Sequence, residues 1–154
     1  MSEPVTINPR IIEALYCEAL VLSDEVRNAF TLSGRLERVG ADQDLARVAL
    51  SAEGLRTTTR MMHAIAWLLN HRAYFMGEIS EFQLRHHGRL SSEMRLCEPD
   101  QVALLDPRIA ELVETTRRFY DRLLRLDHNW RLTGQGQSSA IQRLRERIER
   151  RLAS

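Results

Sequence analysis

Ten positions between Leu45 and Met76 recur at alternating steps of three and four residues without a break: Leu45, Val48, Ala52, Leu55, Thr59, Met62, Ala66, Leu69, Ala73 and Met76. Side chains at those steps share one face of an α-helix, so the pattern predicts one helix over the whole span. A strand cannot use this spacing, because its faces repeat every second residue. Asp42 or Asp44 is placed to cap the helix. At 1.5 Å per residue it would be about 50 Å long. The ten positions are expected in the core, so that Leu69→Asp would abolish folding through an unpaired buried carboxylate. Gly54, inside the helix, is expected to let a neighbouring helix come close, at a cost of about 1 kcal/mol relative to alanine. Thr57, Thr58 and Thr59 form helix weakly, so tertiary packing must hold that turn.

Two further long helices follow from similar patterns. Asn8 and Pro9 are in the favoured order for a start, and Ile12, Leu15, Ala19, Leu22, Val26 and Ala29 form the seam that follows, with a stop at Ser33-Gly34. Asp106-Pro107 opens the third, whose seam is Ile109, Leu112, Thr116, Phe119, Leu123, Leu126 and Trp130. Residues 35–42 read as a short link, 78–87 as a short helix after the break at Gly77, and 88–106 as a long connection. The composition of 133–139 is that of a flexible linker. Beyond it, Ile141, Leu144, Ile148 and Leu152 give a short amphipathic segment that is marginal alone in water. The predicted fold is all-α: an antiparallel three-helix bundle with a long central helix 2 over residues 1–132, then a linker and basic amphipathic tail over 133–154.

Helix 2 carries more apolar surface than two neighbours need. Met61, Ile65, Leu68 and Phe75 lie on one flank of the seam, Trp67 and Tyr74 on the other. A helix apolar over most of its circumference is buried on most sides. This predicts a homodimer through Met61, Ile65, Leu68 and Phe75. The stripe Arg56, Arg60, His63, Trp67, Tyr74 and Glu78 has two readings. One is a boundary, its arginines paired with acids of neighbouring helices. The other is a partner-binding strip, because Trp, Tyr and Arg dominate interface hot spots.

Charge separates the tail from the body. All 22 basic residues are arginine, and from Arg131 onward six of them face two glutamates, leaving a −3 body beside a +4 tail. Arg143, Arg147, Arg150 and Arg151 are therefore expected to serve a partner contact. No apolar run reaches the length of a membrane span, and the N-terminus lacks a secretory pattern, so the cytoplasm, the cell pole included, is the expected location. The histidines lack zinc-site spacing, and no nucleophile elbow or phosphate loop is present. Cys17 and Cys97 form no CxxC motif. No catalytic residue, cofactor or metal is expected, and nucleic acid only on the strength of the basic tail.

One stretch of helix 2 resembles a known family. The run from Ser51 to Met62 (SAEGLRTTTRMM), then Ala66-Trp67-Leu68-Leu69, Arg72-Ala73 and Gly77-Glu78, is similar to the alphaproteobacterial family DUF1465. The likeness extends through Tyr16, Glu25 and Phe30 of helix 1 to helix 3. It implies a homodimeric three-helix bundle that acts as an adaptor for the ClpXP protease. The implied partners are ClpX with a response-regulator adaptor, a cargo regulator of the cell cycle, and a cyclic-di-GMP-binding effector. It assigns no individual contact residue. The alternative function is a helical interaction module of another regulatory complex, associated with DNA or with cell division.

Overall fold

The computed structural model describes residues 7–36 and 44–153, with side chains at 33–36 and 134–143 left out. The described residues are all-α, in six helical segments rather than three. These are α1 (Pro9–Leu36), α2 (Asp44–Phe75), α3 (Glu81–His87), a 3-10 turn (Ser92–Arg95), α4 (Pro99–Val102) and α5 (Pro107–Leu152). The link expected at 35–42 begins within α1, and 37–42 lies outside the described residues.

The helix ends follow local chemistry. Asn8 Oδ1 accepts from the Ile11 N–H at 3.0 Å, and Asp106 Oδ1 accepts from the Arg108 N–H at 2.9 Å. Each satisfies an N–H that the first turn leaves without a partner. α2 ends at Gly77, whose φ of 78° lies in the left-handed region. There the Glu78 N–H returns to the Ala73 carbonyl and the Gly77 N–H to that of Tyr74, closing a Schellman motif. α3 opens with a reciprocal capping box between Ser80 and Gln83.

Residue pairs across the helices give their directions. Glu13 meets Arg72 at 2.7 Å, and Phe30 lies against Gly54, so α1 and α2 run antiparallel. A Cβ on Gly54 would sit 3.0 Å from the Phe30 ring, so the glycine does permit the close approach expected of it. Between α2 and α5 the order is the same in both chains: Arg60 reaches Thr116, and Trp67 reaches Asp127. Those two helices are parallel, which corrects the antiparallel expectation for this pair. Parallel neighbours need a crossover, and residues 76–106 supply it by running back along the body from the end of α2 to its start.

Ile12, Leu15, Ala19, Leu22 and Val26 of α1 are buried, as are Ile109, Thr116, Phe119 and Leu123 of α5, in line with their seams; Val113, outside the expected seam, is buried as well. α2 is turned the other way. Its buried residues are Ala49, Leu50, Glu53, Thr57, Arg60, Met61, Ala64, Trp67, Leu68 and His71. The predicted core seam faces outward, with Leu45, Val48, Leu55, Met62, Leu69 and Met76 all exposed. The inward face is polar as well as apolar: Glu53, Arg60 and Trp67 find partners on distant segments, whereas Thr57 Oγ1 and both His71 nitrogens have no hydrogen-bond partner on the chain. α5 is also continuous through 133–139, where a linker was expected.

These placements exchange the roles of two adjacent leucines. Leu68 is fully buried, whereas Leu69 is 42% exposed. Leu68→Asp should therefore eliminate the cooperative thermal melt, because a buried unpaired carboxylate outweighs much of a stability of about 5–15 kcal/mol. Leu69→Asp should keep the helical circular dichroism and a cooperative transition.

Candidate functional site

The inner face of α2 is a polar spine that straps the crossover down. Arg60 is fully buried. Its Nε donates to the Met94 carbonyl at 2.7 Å, Nη2 to that of Leu96 at 3.0 Å, and Nη1 to Thr116 Oγ1 at 2.9 Å. A planar fork of five donors suits this three-way task. Burial pulls the Arg60 pKa below its ordinary value and Arg117 adds to that, while Glu53 opposes both. Glu53, two turns earlier, is also fully buried. Its Oε1 accepts from Arg56 Nη1 at 2.6 Å and from the Glu98 N–H at 3.2 Å, and Arg56 also donates to Gln101.

α5 holds the same crossover from its other side. Tyr120 donates to the Ser91 carbonyl, Arg117 to that of Arg95 at 2.8 Å, and Arg131 to that of Arg85 at 3.0 Å. Asp127 accepts from Trp67 Nε1 at 3.0 Å and from Arg131 Nε. His71 is wedged between Trp67 and Trp130, with ring centroids 4.2 and 5.2 Å away. Both its nitrogens lack a hydrogen-bond partner on the chain. Desolvation lowers its pKa from 6.5 to about 4, against the pull of Asp127 and with some help from Arg131.

The outer face of α2 is an apolar ridge with a groove on each side. One groove, about 340 Å³, lies against α1 and includes Arg27, Phe30, Thr58, Met62 and Ile65. The other, about 500 Å³, lies against the crossover and includes Leu55, Thr59, Met94, Leu96 and Cys97. A ridge flanked by grooves is what a packed helix presents to another helix. Exposed apolar stretches of this kind mark interaction surfaces.

A family model described as a protein of unknown function, DUF1465, matches residues 4–152. The chain belongs to this family. No curated protein and no solved structure matches. Among the described residues of this DUF1465 chain, no group of three or more His, Cys, Asp or Glu could hold a metal ion. Nor is any helix long and apolar enough to cross a membrane.

The structure divides the residues singled out in the sequence. Arg60 and Trp67 are internal straps, so neither is presented to a partner, and Arg56 is half-buried and paired. His63 and Glu78 are exposed and Tyr74 is half-buried, so the stripe does not form one surface. Met61 and Leu68 lie in the core, with Ile65 and Phe75 packed against it, which removes them as a free dimer face. They turn inward because α1 and α5 cover that side. Arg147, Arg150 and Arg151 are exposed on the projecting end of α5, and Arg143 lies outside the described side chains. Sequence reasoning missed Glu53, His71 and Asp127. The available signal was Glu53, Arg60 and Trp67 at intervals of seven, which puts two opposite charges and an indole on one face.

Arg60→Ala would orphan two crossover carbonyls, at about 1–3 kcal/mol each. The expected result is a lower denaturation midpoint and faster thiol labelling of Cys97, which the strap holds half-buried. His71 yields a pH dependence of defined sign. Between pH 6.5 and about 4 the unfolded chain binds the proton that the folded chain refuses. The contribution is fully present above pH 6.5 and lost as pH falls towards 4, about 3 kcal/mol in all. Urea unfolding should show this acid limb, and His71→Phe should flatten it.

Proposed function

We propose that this chain is a non-catalytic adaptor that works through protein–protein contacts in regulated proteolysis, as a homodimer built around three long helices. The observation that carries the reading is the outer face of α2. Six large apolar side chains, Leu45, Val48, Leu55, Met62, Leu69 and Met76, between 42% and 73% exposed, lie along this face and just past its end. Such a face suits docking.

A resemblance within the family supports the same direction. The stretch from Ser51 to Glu78 resembles the family's regulator of CtrA degradation, RcdA, which points to ClpXP as the protease. The response-regulator adaptor, the cyclic-di-GMP effector and a cell-cycle cargo would then be the other members of the assembly. The end of α5 adds a second surface. Leu144, Ile148 and Leu152 are exposed along one side of it, with Arg145, Arg147, Arg150 and Arg151 around them. An amphipathic helix of this kind fits a groove on a partner.

Reconstitution tests the reading. Adding the chain to ClpX, ClpP, the response-regulator adaptor and the effector should accelerate degradation of the cargo regulator. No binding to any of these at micromolar concentration would refute it. Deleting residues 140–154 should lower delivery while barely moving the melting temperature, since the described side chains of that segment are exposed. The cationic end of α5 also fits a DNA-associated module, and that reading requires binding to duplex DNA that weakens steeply with salt.

A further inference from the structure

α5 carries the same arginine spacing twice. Arg118, Arg122 and Arg125 are separated by four and then three residues, and so are Arg143, Arg147 and Arg150. An acid precedes the middle arginine in both sets, Asp121 in the first and Glu146 in the second. The second set lies 25 residues after the first, which comes within about 20° of seven full helical turns. A flexible linker over 133–139 would let each set turn freely. A continuous α5 instead puts both on the same side of one helix. Arg118, Arg122, Arg125, Arg147 and Arg150 are all exposed there, and Arg143 holds the remaining position of the second set.

We propose that this stripe is a contact surface for the phosphate backbone of duplex DNA, engaged without reading its sequence. Its first support is spacing. At 1.5 Å per residue the two sets are about 38 Å apart, centre to centre. A strand of a DNA duplex returns to the same side of the double helix every turn, about 34–36 Å along the axis. A helix laid along the duplex therefore brings both sets to one strand, a turn apart. Between them the same side of α5 holds Asn129, Leu132, Gly136 and Ala140, which carry no charge. An acidic protein segment offers no repeat of this length.

Charge is the second support. α5 carries eleven arginines against six acids, while the rest of the chain is net −4. Of the acids beside the stripe, Glu18 pairs with Arg122, Glu114 with Arg117 at 2.8 Å, Asp121 with Arg95 at 3.6 Å and Glu146 with Arg150 at 3.7 Å. Among the described residues, Arg118, Arg125 and Arg147 make no ion pair. An open groove of about 450 Å³, lined by Thr115, Arg118, Arg122 and Arg125, gives a phosphate access to the first set. Guanidinium forks bind phosphate oxygens in pairs and need no base edge. The apolar side of the tail, with Leu144, Ile148 and Leu152, lies about 120° round the helix from the stripe, so DNA and a protein partner would use different faces. The inference is independent of the adaptor reading, and it gives the DNA-associated alternative a surface and a register.

Fluorescence anisotropy of a labelled duplex of arbitrary sequence, about three helical turns long, tests the surface with the full chain. Binding is expected at about 50 mM salt, weakening about 10³-fold by about 200 mM, as six phosphate contacts require. Replacing Arg143, Arg147 and Arg150 together by glutamine should lower the slope of log affinity against log salt by about three. The same change at Arg27, Arg47 and Arg108, which lie off the stripe, removes equal charge and should leave the slope as it is. Two alanines inserted after Gly136 turn the second set by about 200° to the far side of α5 and should weaken binding about tenfold or more. Each variant should keep the helical circular dichroism. An insertion without effect shows a flexible basic arm and overturns the proposal. Equal losses from the off-stripe variant show net charge alone and overturn it too. So do an absence of binding at about 50 mM salt, tighter binding to poly-glutamate of equal charge, and binding to phosphatidylglycerol vesicles in place of the duplex. All of these outcomes leave the adaptor reading standing, since that is judged by cargo degradation without DNA.

Discussion

The buried guanidinium of Arg60 is the contact on which the architecture turns. A charged group taken from water needs every donor used and a countercharge within reach. Arg60 has the carbonyls of Met94 and Leu96, the hydroxyl of Thr116, and Glu53 two turns away on the same face. These ligands belong to the crossover and to α5, so satisfying the charge also fixes where both lie on α2. Arg56, Arg117, Tyr120 and Arg131 extend the strap to Gln101, Arg95, Ser91 and Arg85. The crossover contains only short helical pieces, so these side chains take over the work that backbone ladders do elsewhere.

Because the crossover is held along its length, α5 starts beside the start of α2 and runs parallel to it. This places Ile109 and Val113 against Leu50 at one end, and His71 against Trp130 at the other. α1 closes the remaining side of the core. With the inner face of α2 occupied by the strap and by Trp67 and Leu68, the regular apolar face has no place inside. Its outward position follows from the polar chemistry opposite it. The exposed apolar face of α2 is thus set by the buried network on its opposite side.

α5 outlasts the rest of the body. Its 46 residues compare with 32 in α2 and 28 in α1, so its last turns project beyond the core. The exposed leucines and isoleucine there face no part of their own chain among the described side chains, and arginines surround them. The helix carries this segment away from the α2 ridge.

Helix existence, and most helix ends, were legible in the sequence because both depend on neighbours within four residues. Asn8, Gly77, and Asp106 with Pro107 act through local hydrogen bonds and local backbone geometry, and α1 and α5 each carry one apolar seam pointing one way. α2 was legible as a helix but not in its orientation. Periodicity measures the angle between residues and carries no sign when more than one face is apolar. The ten-residue seam was the more regular pattern, yet the core took the face bearing Glu53, Arg60, Trp67 and His71. The partners that make that burial favourable lie 34 to 60 residues away in the chain. The parallel course of α5 is of the same kind, since composition between Gly88 and Asp106 shows a long connection but not where it is pinned. The sequence by itself determined the three long helices and most of their starts and stops, but not that α5 continues through 133–139. Only the tertiary structure decided which side of α2 faces inward, because buried polar groups are satisfied by segments that only folding brings together.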